Sequence, residues 1–143
     1  MSEVGSDTIV VGIDSSPSGE VALKWAIDEA ARTGRRLHIV NVWHWTDGAV
    51  GSPMALVGHD DPHTAGRHLL TRAVKQAERS NVAVTSALAE GGTAAQLTDA
   101  AAGAAMLVVG RHGHGKIRHS IMGSVSKACI QHARSPVLVV PDE

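Results

Sequence analysis

The sequence predicts a single α/β domain with a doubly wound, Rossmann-like fold, in which about four helices cover a five-stranded parallel sheet of order 3-2-1-4-5. Three observations support this prediction. Short, β-branched apolar runs alternate with longer segments of helical periodicity, as in repeated β-α-β units. The runs are almost continuously apolar, which is typical of parallel strands buried on both faces. The length of 143 residues fits one domain, assigned to residues 1–143.

The first half of the chain contains two strand patterns and two helical patterns. Pro17 suits a helix start because its fixed φ fits the first helical position, and Gly34 suits a helix end because glycine tolerates a left-handed cap. A polar segment rich in Gly, Pro, His and Asp forms the longest predicted loop. The predicted elements are a strand at Thr8–Ile13, a helix at 17–34, a strand at 37–43, a loop at 44–61 and a helix at 62–80.

The second half continues the same alternation, and Pro136 separates its last helix from its last strand. The predicted elements are a strand at 82–89, an alanine-rich helix at 94–105, a strand at 106–109, a glycine-containing loop from Gly110, a helix at 123–133 and a strand at Val137–Val140. Doubly wound sheets bind ligands at the carboxyl ends of strands where the strand order reverses, here between the first and fourth strands. Asp14 and Gly110 follow those two strands.

Composition and charge exclude several classes of protein. With 13 Lys and Arg against 14 Asp and Glu, the net charge of −1 creates no field that attracts nucleic acid or anionic lipid. The first residues lack the features of a secretion signal, and no apolar run approaches the roughly 20 residues of a membrane helix. The single cysteine, Cys129, excludes an internal disulfide framework and is expected to be inert packing. We therefore expect a cytoplasmic protein with neither nucleic acid nor membrane as a partner.

Four glycines lie within fourteen residues after the fourth strand, among polar and basic residues. Glycine lets the backbone approach an anion without a Cβ, and the first amides of the following helix face the same anion. Phosphate is therefore the predicted guest. The residues concerned are Gly110, Arg111, His112, Gly113, His114, Gly115 and Lys116 in the loop, and Gly123, Ser124, Val125 and Ser126 at the helix start.

Two better-known phosphate motifs do not fit this loop. Residues 110–116 satisfy the first seven positions of a Walker A loop, but Ile117 replaces the Ser or Thr that holds Mg²⁺. The helix also begins later than in a Walker loop. A dinucleotide fingerprint would follow the first strand, where the turn at 14–17 has no glycine cluster. The sequence instead predicts two anion-binding segments with a polyphosphate held between them.

The motif Gly110-x2-Gly113-x9-Gly123-Ser124 resembles the nucleotide-binding signature of the universal stress protein family. The first strand with its turn, and the segments at 123–126 and 135–140, are also similar to that family, so the resemblance covers essentially the whole chain. Two features depart from the common pattern. Ser15 stands where many members carry Gly, and the loop is unusually rich in histidine.

For ATP-binding members, the resemblance implies that Gly12 and Asp14 contact the nucleoside and that the backbone at Val42 meets the adenine edge. It further implies that residues 110–116 and 123–126 hold the phosphates, with the two serine hydroxyls at 124 and 126 donating hydrogen bonds. Mg²⁺ would accompany ATP. A homodimer is also implied, and the last strand supplies an apolar sheet edge through which it would form.

The expected function is that of a nucleotide-binding stress-response sensor or regulator with at most slow ATP hydrolysis and no catalytic residue. No general base is evident for attack on a γ-phosphate, and the Walker Mg²⁺ ligand is missing. The alternatives left open are a weak ATPase or phosphotransferase using Asp14, a cyclic-AMP-binding protein and a nucleotide-free interaction module. The histidines and aspartates at 59–68 lack zinc-like spacing, so they predict a solvated segment instead of a metal site.

Overall fold

The structure is a computed structural model that describes residues 4–43, 61–112 and 123–141. Its five strands form one parallel sheet of order β3-β2-β1-β4-β5, which confirms the predicted order. The elements are β1 (Thr8–Ile13), α1 (Pro17–Thr33), β2 (Arg36–Trp43), α2 (Pro62–Arg79), β3 (Val84–Glu90), α3 (Thr93–Ala100), β4 (Met106–Gly110), α4 (Ser124–His132) and β5 (Val137–Val140). Within the described ranges, no helix has the length and apolar content needed to span a bilayer.

Two hydrophobic clusters cover the opposite faces of the sheet. In the central strand β1, Ile9 and Val11 join the cluster that contains residues of α1 and α2, whereas Val10 joins the cluster that contains residues of α3 and α4. This alternation follows from the two-residue period of a strand. Because Ile9, Val10 and Val11 all have 0% exposure, β1 is buried on both faces, as its continuous apolar sequence predicts.

Cys129 lies in the second cluster and has 0% exposure. Burial raises the pKa of its thiol to about 11, because an apolar environment disfavours the thiolate. The thiol therefore stays protonated at neutral pH and packs as a small apolar group.

Two predicted boundaries were wrong. The alanine-rich helix predicted at 94–105 ends at Ala100, because Gly103 has a φ of 80° and the amide of Ala105 donates to the carbonyl of Thr8 at 2.8 Å. The chain thus leaves the helix to enter the sheet beside β1. The strand predicted at 82–89 begins at Val84, because Asn81 adopts a φ of 58° and the amide of Val82 still donates to the end of α2.

Side-chain caps fix the starts of α1 and α2. Ser16 accepts a hydrogen bond from the amide of Gly19 at 3.0 Å, and Pro17 follows as the first helical residue. Asp61, which belongs to the loop predicted at 44–61, caps α2 by accepting from the amide of Thr64 at 2.7 Å. This hydrogen bond is the main cause that lowers the pKa of Asp61. The carboxylate of Asp61 is therefore engaged in capping.

The close approach of α2 to the sheet depends on Gly66. A Cβ at this position would lie 2.5 Å from Oδ1 of Asn41 and 2.7 Å from Cδ1 of Leu88. Asn41 is itself fixed, because its side-chain amide donates to the carbonyl of Ile13 at 2.8 Å. The packing of α2 is thereby connected to the end of β1.

We expect Gly66→Ala to lower the free energy of unfolding by about 1–3 kcal/mol, because the added methyl group overpacks this contact. Urea denaturation followed by circular dichroism measures the change. The variant Ala65→Gly, at an exposed position in the same turn, gives the separate effect of helix propensity, about 1 kcal/mol. Wild-type or greater stability of Gly66→Ala would contradict the packing described here.

Candidate functional site

The carboxyl ends of β1 and β4 lie side by side, since Ile9 pairs with Met106 and Val11 with Val108 in parallel register. The chain leaves β1 towards α1 and β2 on one side of this junction, whereas β4 continues to β5 on the other. The strand order reverses here, as predicted, and the reversal places the residues after β1 next to those after β4. This edge of the sheet is the candidate site.

The turn after β1 is closed by its own side chains. The carboxylate of Asp14 accepts a hydrogen bond from the amide of Ser16 at 3.0 Å and a second one from the hydroxyl of Ser16. Ser15 between them has a φ of 61°, a left-handed conformation that explains why glycine also suits this position. Ser16 is the N-cap residue of α1, so the two hydrogen bonds from Ser16 to Asp14 hold this N-cap in place.

Gly110 is required by a contact with α1. A Cβ at this position would lie 2.5 Å from Oγ and 2.6 Å from the backbone oxygen of Ser18. The amide of His112 also donates to Oγ of Ser18 at 3.1 Å, and the amide of Arg111 donates to the carbonyl of Val140 at 3.0 Å. Close packing of α1 thus explains why position 110 is a glycine, whereas the sequence alone suggested that a phosphate approaches it.

The predicted site residues Gly113, His114, Gly115 and Lys116 lie outside the described residues.

The start of α4 is bound to the end of β4 through one carbonyl group. The carbonyl of Arg111 accepts from the amide of Gly123 at 2.8 Å and from the hydroxyl of Ser126 at 3.2 Å. The hydroxyl of Ser126 also lies 3.0 Å from the carbonyl of Gly123, and Ser126 is only 2% exposed. Ser124, in contrast, is exposed. The two serines predicted to donate to phosphate therefore differ, because the hydroxyl of Ser126 is used internally and that of Ser124 faces outward.

The backbone amides at the start of α4 are suited to an anion. Its N-cap residue, Gly123, has no side chain, and no side chain in the described residues caps the helix. The N-cap residue of α3, Gly92, likewise makes no side-chain cap. Both helix starts face one cleft of about 640 Å³. It is lined by Gly91, Gly92, Thr93, Ala94, Ala95, Ser124 and Val125.

Uncapped helix N-termini present unpaired N–H groups and the positive end of the helix dipole, so they favour a negatively charged ligand. The sequence predicts the helix α3, but it does not place the first residues of this helix in the anion-binding site. The pair Gly91 and Gly92, directly after a strand, is the only signal in the sequence that indicated it.

The end of β2 is the part of the sheet where the nucleoside was predicted to bind. Val42 packs against the cluster on the α3 and α4 face of the sheet, the face that carries the cleft. Gly12 lies near it in the sheet, and a Cβ there would be 2.8 Å from both Cδ atoms of Leu97. Close packing of α3 thus accounts for this glycine, and a nucleoside contact at Gly12 stays a prediction. The next residue, Trp43, makes an edge-on contact with His63, their ring centroids 5.3 Å apart.

The described residues contain no group of three or more His, Cys, Asp or Glu that could hold a metal ion. Of the residues at 59–68 considered for metal binding, Asp61 caps α2 and His63 contacts Trp43. Positions 59 and 60 lie outside the described ranges.

The model of the universal stress protein family matches residues 5–141. Universal stress protein Rv2623 of Mycobacterium tuberculosis (strain ATCC 25618 / H37Rv) is 32% identical over 145 residues, a match that covers 94% of this chain and 48% of the relative. The chain thus spans about half the length of the curated relatives it matches. A crystal structure of a universal stress protein family member from Burkholderia pseudomallei has a TM-score of 0.70 and 31% identity, over 94% of this chain and 96% of that one.

Two more distant structures with the same fold contain adenine nucleotides. A universal stress protein in complex with cAMP has a TM-score of 0.69 and 24% identity, over 97% of this chain and 99% of that one. A family protein from Arabidopsis thaliana with AMP bound has a TM-score of 0.68 and 18% identity, over 94% of this chain and 90% of that one.

Proposed function

Because this chain belongs to the universal stress protein family, we propose that it binds an adenine nucleotide, preferentially ATP, and acts as a cytoplasmic stress-response sensor or regulator. One observation carries the binding proposal: the uncapped start of α4, which is bonded to the residue after β4, opens into a cleft that it shares with the start of α3. The AMP and cAMP held by related structures support an adenine nucleotide as the ligand.

In this proposal, the phosphates bind at the start of α4. The amides of Ser124, Val125 and Ser126 and the hydroxyl of Ser124 donate hydrogen bonds to them. Ser126 positions these donors, since its own hydroxyl is bonded to the carbonyls of Arg111 and Gly123. The sequence further predicts that the loop residues 110–116 contact the phosphates.

The nucleoside lies towards β1 and β2, with Asp14 near the ribose and the backbone of Val42 at the adenine edge. The carboxylate of Asp14 accepts two hydrogen bonds from Ser16, which fixes its direction in advance of ligand binding. Mg²⁺ accompanies ATP and is held mainly by the phosphate oxygens and water, the usual pattern for this ion.

Two measurements test the binding proposal. Nucleotide released from the purified protein by denaturation identifies the ligand retained from the cell, and calorimetry compares ATP, AMP and cAMP directly. We expect ATP to bind most tightly, because its additional phosphates reach more donors. Tighter binding of cAMP than of ATP would identify cAMP as the preferred ligand. No heat with any of the three at millimolar concentration would leave a nucleotide-free interaction module.

We expect ATP turnover below roughly 0.1 per second, against about 1 to 100 per second for typical kinases. Asp14 is the candidate base of a weak ATPase or phosphotransferase, but its carboxylate is already engaged with Ser16. Single-turnover hydrolysis by the wild type and by Asp14→Asn separates the two functions. Equal, negligible rates support a binding protein, whereas faster turnover that Asp14→Asn abolishes would establish an enzyme.

We further propose a homodimer formed through β5. This strand lies at the edge of the sheet, and Val137, Leu138 and Val139 are only partly buried in the single chain. The carbonyl of Pro136 accepts from the amide of Leu107 in β4, and that of Val140 accepts from the amide of Arg111 directly after β4. The alternation of a parallel ladder therefore directs the amide of Val139 outward.

We expect light scattering at micromolar concentration to give the mass of a dimer. Val139→Pro should give a monomer with unchanged circular dichroism, because proline removes only an outward donor of an edge strand. A monomeric wild type would contradict the proposed dimer.

A further inference from the structure

The solvent-facing side of α2 carries a stripe of positive charge. Its members follow the spacing i, i+4, i+7 and i+11, which places them on one side of a helix, and all are exposed. We define the basic stripe as His68, Arg72, Lys75 and Arg79. The buried side of α2 consists of Gly66, Leu70, Ala73 and Ala77, which pack against the sheet.

Within the described residues, the three permanent cations of the basic stripe make no salt bridge. In the described part of the chain, the one salt bridge joins Arg32 to Glu29 in α1, and none involves Arg72, Lys75 or Arg79. The single carboxylate within α2 is that of Glu78, which lies about 60° from Lys75 around the helix at 100° per residue but forms no salt bridge with it. Since the whole chain has a net charge of −1, this concentration of positive charge is local.

We propose that the basic stripe is a docking surface for an acidic helical segment of a partner protein. Arg72, Lys75 and Arg79 span about 10 Å of helix at 1.5 Å per residue. Carboxylates spaced i, i+3 and i+7 on a partner helix form a row of the same length and opposite charge, which favours association and sets its register.

Two other anionic partners fit the structure less well. Nucleic-acid-binding domains carry a strong overall positive charge, whereas this chain has 13 Lys and Arg against 14 Asp and Glu. A helix that binds a membrane surface inserts an apolar face between the lipids. The apolar face of α2 is buried against β2 and β3, so it is not available for insertion. A protein partner therefore agrees best with these observations.

Fluorescence anisotropy with a labelled probe tests this proposal. The probe is an alanine-based helical peptide of about 18 residues with glutamate at i, i+3 and i+7, and the same peptide with glutamine is its control. The stripe variant combines Arg72→Glu, Lys75→Glu and Arg79→Glu. The matched control combines Lys24→Glu, Arg36→Glu and Arg134→Glu, which are exposed on three other segments and give the same net charge.

We expect the wild type to prefer the glutamate peptide to the glutamine peptide and to lose this preference as salt is added. The stripe variant should bind at least about tenfold more weakly and the matched control within about twofold of the wild type. Circular dichroism checks that both variants fold. Equal weakening of the two variants, or no preference for glutamate, would overturn the proposal. Tighter binding to duplex DNA or to phosphatidylglycerol vesicles than to the peptide would also overturn it.

Discussion

Gly110→Ala is expected to lower the free energy of unfolding by about 3 kcal/mol or more, the upper end of the cost of overpacking. The added Cβ would lie 2.5 Å from Oγ, 2.6 Å from the carbonyl oxygen and 2.8 Å from the carbonyl carbon of Ser18. Two of these atoms belong to the backbone in the first turn of α1, so a rotation of the Ser18 side chain cannot relieve the contact. The substitution therefore forces α1 away from the end of β4.

Urea denaturation monitored by circular dichroism measures this effect. Gly5→Ala is the matched control, because its Cβ would lie 3.5 Å from Oδ1 of Asp7, an ordinary contact distance. We expect this control to change stability by less than about 0.5 kcal/mol. Equal stability of the two variants would show that α1 does not approach β4 as closely as described.

Ser124→Pro is expected to weaken ATP binding about a hundredfold, whereas Ser124→Ala should weaken it about tenfold. Alanine removes only the hydroxyl, but proline also removes the backbone N–H that points towards the cleft. Proline suits this position, because Ser124 is the first residue of α4 and Gly123 before it is extended, with a φ of −76° and a ψ of 168°. Since each charge-assisted hydrogen bond contributes about 1.5–3 kcal/mol, the two losses should be distinguishable.

Calorimetric titration with ATP measures both affinities, and urea denaturation confirms that both variants keep wild-type stability within about 1 kcal/mol. Comparing the two variants separates the contribution of the backbone N–H of Ser124 to ATP affinity from that of its hydroxyl. Wild-type affinity in both variants would place the phosphates elsewhere.

The strand order could be predicted from the sequence because it depends on regular patterns. Buried parallel strands such as Thr8–Ile13 are continuously apolar, and single helices between them leave few possible topologies. The end of α3 could not be predicted in this way. Alanine favours a helix through most of 94–105, and the helix ends at Ala100 because Gly103 has a φ of 80° and the amide of Ala105 donates to the carbonyl of Thr8 in the assembled sheet.

The point where the strand order reverses could be predicted from the sequence, but the contacts of the residues around it could not. A glycine at 110 indicates that something approaches the backbone closely, and only the structure shows that this is Ser18 of α1. Similarly, the serines at 124 and 126 look equivalent in the sequence, whereas in the structure Ser126 is buried and bonded to the carbonyl of Arg111 and Ser124 is exposed. The start of α3 was not recognised as part of the site, because two adjacent glycines after a strand are also typical of an ordinary turn.

Amide-resolved NMR of the wild-type chain titrated with ATP tests whether the phosphates bind at the start of α4. It reports the environment of each backbone N–H and therefore locates the phosphates without any substitution. We expect the largest changes in amide chemical shift at Ser124, Val125 and Ser126, smaller changes at Val42 and little change along α2. No shift at millimolar ATP, or shifts confined to elements away from the start of α4, would contradict this expectation.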